Sequence, residues 1–350
     1  TDRQYWLDQL TPPPPPLELP TDFPRPGFRS FRGATERLVL EGSLSRNLKQ
    51  ASARMGCTLF ATLLGAFEVL LYRLTGQSDL VIGIPAAGQA AAPEPDVVGH
   101  CVNFLPLRAR IDAGVTFRDH AREAKRRVLE AYEHQDCTFG SLLRHLPVTR
   151  EPGRVPLVEV QFNLERVGGD VRFSGLDTSV DANPKAFVTF DLFLNAVETE
   201  DGLVLDCDYN TGLFRRETVS RWLGHYVELL GSVVSGVDGV VSGMRMLGEG
   251  ERRGLVSLGR GEGVGYWGGS VSGMVERVVV ERGGEVAVEA GGEVLTYGEL
   301  NARANRLARH LRGKGVCRGD RVGVCMDRSL GMVVGLLGVM KAGGAYVPLD

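Results

Sequence analysis

The sequence predicts a mixed α/β protein built as two domains, and three patterns carry that prediction. In residues 56–74 the positions Leu59, Phe60, Leu63, Leu64, Phe67, Leu70, Leu71 and Leu74 recur at helical spacing, a stripe broad enough to require burial. Residues 80–84 and 101–105 are continuous apolar runs of strand length, as in strands covered on both faces. Residues 231–293 are dominated by glycine and valine and lose periodicity, which suits a connector between folded parts.

Taken in order, the opening TDRQYWLDQL lacks the charged start and apolar run of a secretion signal and reads as sequence from inside a longer protein. Pro12 to Pro16, then Pro20, Pro24 and Pro26, lack amide donors and form an extended strap. The helix of 56–74 ends at Gly76, the strand 80–84 stops at Pro85, and residues 86–97 are a loop before the strand 101–105, which ends at Pro106. Thr116 and Asp119 make a capping signature, and Phe117, Ala121, Ala124, Val128 and Ala131 carry a second amphipathic helix to about Glu133. Residues 158–162, 187–193 and 203–209 read as strands and 218–234 as a helix.

Beyond the connector, Gly291-Gly292 marks a hairpin and Thr296-x-x-Glu299 a capping box. Tyr297, Leu300, Ala304, Leu307 and Leu311 continue that helix, and a strand (321–326), a helix (330–341), a Gly343-Gly344 stop and a strand (345–349) sketch a β-α-β unit.

Composition excludes several function classes. The 350 residues are 43% hydrophobic and 24% charged, and 40 Lys plus Arg against 43 Asp plus Glu leave a net charge of -3, so no nucleic-acid partner is expected. Six scattered cysteines without a C-x-x-C point to reduced thiols in a cytoplasm and to no metal site. The longest apolar stretch, 332–340, is under half of the roughly 20 residues that span a bilayer, so no membrane segment is expected.

Among the six histidines, His120, His225 and His310 fall on the polar sides of predicted helices and read as solvated. His134 and Asp136 lie two apart at a helix end, a spacing that does not make them face each other, so a lining or capping role is expected ahead of proton transfer. No nucleophile elbow, activated cysteine or phosphate-cradling loop occurs; Gly331, Gly335 and Gly338 read as helix-packing glycines. Asp206 and Asp208 point the same way from one strand and read as a solvated face. Residue chemistry alone assembles no catalytic set.

Four segments carry a family resemblance. VGHCVNFLPLR (98–108) resembles the G-x-F-V-N-T-x-x-x-R motif of nonribosomal peptide synthetase condensation domains, and HQDCTF (134–139) resembles their H-Q-D-x-P-F-E motif. Tyr5-Trp6-Leu7, the strap, residues 57–60 and 74–79, Arg154-Val155-Pro156-Leu157 and Gln161-Phe162-Asn163 extend the likeness. LTYGEL (295–300) and KAGGAYVPLD (341–350) are similar to the first two core motifs of adenylation domains. The resemblance divides the chain into a condensation C-terminal lobe (1–245), a linker (246–275) and the truncated start of an AMP-binding domain (276–350).

It implies a chloramphenicol-acetyltransferase-like lobe followed by the incomplete N-terminal part of an adenylate-forming domain. In that family two lobes enclose a tunnel where carrier-bound thioesters become amides, and the catalytic H-H-x-x-x-D-G histidine belongs to the other lobe, upstream of Thr1. Ile84, Asn103, His134 and Gln135 would line the tunnel as positioning groups. Gly99, Arg108, Asp136, Arg154, Pro156, Tyr297, Glu299, Lys341, Gly343, Tyr346 and Pro348 are the other motif positions. Ile84 stands where relatives usually carry a small hydroxyl residue, and Phe104-Leu105-Pro106 replaces T-x-x, so a more apolar wall is expected.

The adenylation part ends before the phosphate-gripping loop, the magnesium ligand and the C-terminal lysine of its family. No cofactor is expected on this stretch, while the parent implies phosphopantetheine on carrier-protein domains and ATP with Mg. Its expected partners are those carriers with their thioester-bound substrates and the rest of the synthetase, and the chain by itself is expected to be inactive. The competing readings are a degenerate docking module and a stand-alone acyltransferase using His134.

Overall fold

The computed structural model describes residues 1–87, 102–166, 175–176, 185–199, 202–261 and 269–349. They fall into two compact units, Thr1–Gly259 and Arg260–Asp350. The first contains α1 (Asp2–Leu10), β1 (Gly33–Val39), α2 (Gly42–Met55), α3 (Leu59–Thr75), β2 (Asp79–Ala87), β3 (Val102–Arg110), α4 (Phe117–Glu133), α5 (Phe139–Leu143), β4 (Val160–Arg166), β5 (Leu192–Thr199), β6 (Gly202–Asn210), α6 (Arg216–Ser235) and α7 (Glu249–Leu258). Its six strands form one mixed sheet in the order β1-β6-β5-β4-β2-β3, with β4 parallel to both β2 and β5.

Because side chains alternate along a strand, each strand of this sheet has a helix-side set and an opposite set. Leu80, Ile82, Ile84 and Ala86 of β2, Leu105, Leu107 and Ala109 of β3, Val160 and Phe162 of β4, Leu192, Leu194 and Ala196 of β5 and Leu205 and Cys207 of β6 are all buried. Together with α2, α3, α4 and α6 they build the core. Helix α3 is buried from Ala61 to Leu71 on every side, and the Thr58 side chain caps its start while Gly76, at φ 73°, closes its end.

That total burial traps a carboxylate. Glu68 is 1% exposed, and its Oε2 lies 2.8 Å from Arg127 Nη2 and 3.0 Å from His120 Nε2, both on α4. His120 is therefore a buried partner and not the solvated residue its position on the helical wheel suggested. His225 is likewise buried, because its Nε2 meets Glu251 Oε2 of α7 at 2.9 Å. His310 is exposed as expected.

The strands run through two prolines at which they were expected to stop. Pro106 belongs to β3, the edge strand, where a missing N–H costs a ladder bond only on the paired side. Pro85 lies past Ile82 and Gly83, the residues through which β2 pairs with β4. Three elements have weak sequence signals: α1 buries only Trp6 and Leu10, β1 buries none of its residues, and α2 buries the small Ser45, Ala51 and Ser52 alongside Leu48 and Met55. The stretch read as an unpatterned connector contains the end of α6, α7 and α8 (Val271–Arg282). Helices α7 and α8 bury none of their residues, so neither carries a covered apolar stripe.

The second unit continues with β7 (Val286–Ala290), β8 (Glu293–Thr296), α9 (Tyr297–Gly313), β9 (Arg321–Val324), α10 (Leu330–Ala342) and β10 (Ala345–Pro348). Gly291 and Gly292, with φ 63° and 81°, make the turn between β7 and β8, and the Thr296/Glu299 capping box opens α9. Strands β9 and β10 pair in parallel around α10. A methyl group on Gly338 would lie 2.7 Å from Leu307 Cδ2, so α9 and α10 meet where only glycine fits. Among the described residues no single helix is long and apolar enough to cross a membrane.

Burial alone would raise the Glu68 pKa, but Arg127 and His120 outweigh it and hold the carboxyl at about 2, below its ordinary 4.5. A folded value below the unfolded one contributes stability above about pH 4.5 that is lost as the pH falls towards 2. Removing the charge with Glu68→Gln should cost about 3–5 kcal/mol at pH 7, because Arg127 is left buried beside a neutral partner. Urea unfolding at pH 7 and pH 3 checks this: the gap between wild type and variant should shrink at the lower pH.

A candidate substrate face on the open side of the sheet

The face of the sheet away from the four helices carries the alternate residues. On β5, Phe193, Asn195 and Val197 are half-exposed between the buried Leu192, Leu194 and Ala196. Register places Gln161, Asn163 and Glu165 of β4 and Asp206 and Asp208 of β6 on the same side. This part of the face is a polar network. Asn163 Nδ2 donates to Asn195 Oδ1 at 3.0 Å, and Asn195 Nδ2 to Glu165 at 3.1 Å. Arg37 of β1 grips Asp206 at 2.6 and 2.7 Å, and Asp208 accepts from Thr35 at 2.5 Å and pairs with Lys185. The two aspartates do point the same way, but their cationic partners cover them, so they are buried and not solvated.

Towards the β2 and β3 edge the same face becomes apolar, with Gly83, Pro85 and Ala87 opposite Pro106, Phe104 and Val102. Phe104 stacks on Phe190 with centroids 5.1 Å apart and meets Phe139 edge-on at 5.2 Å. A Cβ on Gly83 would lie 1.8 Å from Phe104 Cζ, so the ring rests directly on the β2 backbone.

The four residues expected to line the tunnel occupy different places on and beside the sheet. Ile84 is wholly buried on the helix side, where alternation puts it; the open face receives its neighbour Pro85. Asn103 also sits opposite Phe104 in the alternation and acts as a tether: its Nδ2 donates to the carbonyls of Gln135 (2.6 Å) and Cys137 (3.1 Å), while its Oδ1 accepts the Phe104 amide (2.8 Å). His134 is turned to α1, stacked on Tyr5 at 4.1 Å with its Nδ1 3.2 Å from Asp2 Oδ1, and its carbonyl accepts from Trp6 Nε1 at 2.8 Å. Gln135 is half-buried and Asp136 exposed.

The other motif positions hold the frame. Arg108 forms a two-pronged pair with Asp79 at 2.6 and 2.8 Å and bonds the carbonyls of Gln9 and Pro12, fastening α1 and the strap to the sheet. Arg154 joins Glu159 (2.7 Å), Glu18 (2.6 Å) and Glu151 (3.3 Å); burial alone would lower its pKa, but Glu159 and Glu18 outweigh it and raise it. Pro156 helps line a cavity of about 330 Å³ between the strap and residues 147–159. Gly99 lies outside the described residues.

In the second unit Tyr297 and Glu299 form the start of α9, and Gly343 at φ 93° caps α10. Lys341 is buried against Glu276 of α8, and Tyr346 and Pro348 are exposed on β10. These residues do not fit ATP: the lysine is already neutralised, and the glycine serves a helix end. Among the described residues no three His, Cys, Asp or Glu side chains gather as a metal site.

The sequence reading passed over Phe190 and the Asn163–Asn195 ladder; the period of two in VNFLPLRAR was the available signal for Phe104. Asn103→Ala should lower stability by about 1–3 kcal/mol by orphaning two carbonyls. It should also speed amide hydrogen exchange across residues 135–139, while exchange in α3 stays unchanged.

A family model described as condensation domain matches residues 1–256, and one described as AMP-binding enzyme matches 275–350. The chain is 38% identical over 354 residues to tyrocidine synthase 3 of Brevibacillus parabrevis, covering 99% of this chain and 5% of that protein. It is 36% identical over 351 residues to gramicidin S synthase 2 of Aneurinibacillus migulanus, covering 99% and 8% respectively. Among solved structures, a four-domain nonribosomal peptide synthetase bound to AMP and glycine matches with a TM-score of 0.71 at 25% identity, over 100% of this chain and 28% of that one. The chain thus spans less than a tenth of the length of these curated relatives. By sequence and by fold, the chain belongs to the condensation-domain family of nonribosomal peptide synthetases and continues into the start of an AMP-binding domain.

Proposed function

We propose that this chain is the substrate-positioning lobe of a condensation domain joined to the first part of an amino-acid-adenylating domain. The polypeptide carrying it would link acyl and aminoacyl groups held as thioesters on carrier-protein domains. In that step an acceptor amine attacks the thioester carbonyl, a C–N bond replaces the C–S bond, and the proton lost by the amine ends on the departing phosphopantetheine thiol. The observation that carries this reading is the order of the two families in one chain, with the condensation match ending at 256 and the AMP-binding match beginning at 275.

The face described above supports a positioning role. Its polar network is closed by internal partners, and its aromatic edge holds no proton donor, so its contribution is orientation and exclusion of water. Holding two reactants in register is itself worth several orders of magnitude in rate. We assign 1–245 to the lobe, 246–275 to the linker and 276–350 to the adenylating part; α7, inside that linker, clusters with the first unit. ATP with Mg and the carriers would act through other parts of the polypeptide. The free thiols of the described cysteines accord with a cytoplasmic setting.

A stand-alone acyltransferase using His134 is disfavoured, since that ring is turned to α1 and stacked on Tyr5. The test supplies the polypeptide carrying this chain with two carrier-bound aminoacyl thioesters and follows the dipeptide product by mass spectrometry. Amide formation that persists within about tenfold in His134→Ala is expected. Absence of product with every thioester pair would refute the condensation reading, and product abolished only by His134→Ala would restore the acyltransferase.

A further inference from the structure

Phe104 holds an unusual place on the open face. It is half-buried on β3, its ring edge rests on Gly83 with no room beneath, and Phe190 and Phe139 bracket it at 5.1 and 5.2 Å. The bracket is pre-set: Asn103, one residue earlier, ties down the 135–137 backbone that leads into Phe139. Around the rings lie Pro85 and the exposed Val102, so no hydrogen-bonding side chain adjoins them on β2 or β3. The next strand, β4, carries the half-buried Gln161 in register with Gly83, and its amide suits the peptide groups of an extended aminoacyl or peptidyl chain.

Resting on the condensation reading above, we infer that the Phe104 ring is a size stop for the side chain of the aminoacyl or peptidyl thioester laid along this face. The ring fills the space over Gly83 that a substrate side chain would otherwise enter. Apolar side chains are accepted up to the ring's outer surface, and larger ones are excluded by contact with a wall that cannot retreat. The glycine makes the stop rigid, because the ring is seated on main chain and not on a flexible neighbour.

Shortening the ring should therefore widen the choice of substrate without removing any reacting group. A single methylene gained or lost in an apolar pocket changes discrimination by about 10–200-fold. The experiment compares kcat/KM for alanyl and tryptophanyl thioesters with one fixed acceptor, in the polypeptide carrying this chain and in its Phe104→Ala and Phe104→Leu variants. The tryptophanyl-to-alanyl ratio should rise at least about tenfold in Phe104→Ala and by an intermediate factor in Phe104→Leu. Because the ratio is internal to each protein, loss of folded material cancels.

An unchanged ratio in a variant that still forms product would overturn the inference and leave the condensation reading intact. A fall in the ratio would also overturn it, by showing the ring to be a stacking platform that attracts aromatic side chains. Should Phe104→Ala fail to fold by circular dichroism, Phe104→Leu, which keeps most of the volume, decides the question. If the unaltered polypeptide forms no amide with any thioester, the condensation reading falls and the size stop falls with it.

Discussion

A six-stranded sheet whose long helices α2, α3, α4 and α6 all pack on one face is the constraint from which the rest of the first unit follows. Strand alternation then divides every strand into a half that must be apolar and a half that is free to be something else. The helix-side half is filled with Leu, Ile, Val and Ala at essentially zero exposure. The free half bears an amide and carboxylate network over β4, β5, β6 and β1 and an aromatic edge over β2 and β3. A one-residue slip of any strand would exchange these halves, which is why the core specifies the open face as strictly as it specifies itself.

Ion pairs and main-chain tethers keep that frame in register. Glu68, Arg127 and His120 join α3 to α4 inside the core, and Arg127 also bonds the Arg108 carbonyl of β3. Arg108 in turn holds Asp79 and the main chain at Gln9 and Pro12, and Arg154 holds the strap through Glu18 and Glu159. The last turn of α2 receives cations from the same α4, as Arg118, Arg122 and Lys125 bond the carbonyls of Arg54, Met55 and Gly56. Helix α4 is thus fixed on three sides before it delivers residues 134–139 to Asn103. Several residues that mark the family in sequence, Arg108, Arg154 and Asn103 among them, act here as anchors between elements.

Much of the architecture was legible in the residues. The stripe of α3, the cap of α4, the Gly291-Gly292 hairpin and the Thr296/Glu299 box stand where local physics put them, since each depends on neighbours within a few positions. The elements that were not legible, α1, β1, α2, α7 and α8, bury few large apolar side chains and so lack the broad apolar stripe that marks α3. The prolines at 85 and 106 were misread because a proline's cost depends on whether its strand is paired on that side, which is a property of sheet order.

Residue patterns alone placed the strongly periodic helices and strands, the succession of two families and the short motifs around the candidate face. Which way those motifs point was settled by tertiary packing. His120 and His225 became buried partners because Glu68 and Glu251 arrive from distant helices. Ile84 and Asn103 turned inward, and Pro85 and Phe104 outward, because helices cover one side of the sheet and the period of a strand is two. Spacing along a chain records distance between residues, whereas facing is settled only when another part of the chain arrives to cover one side.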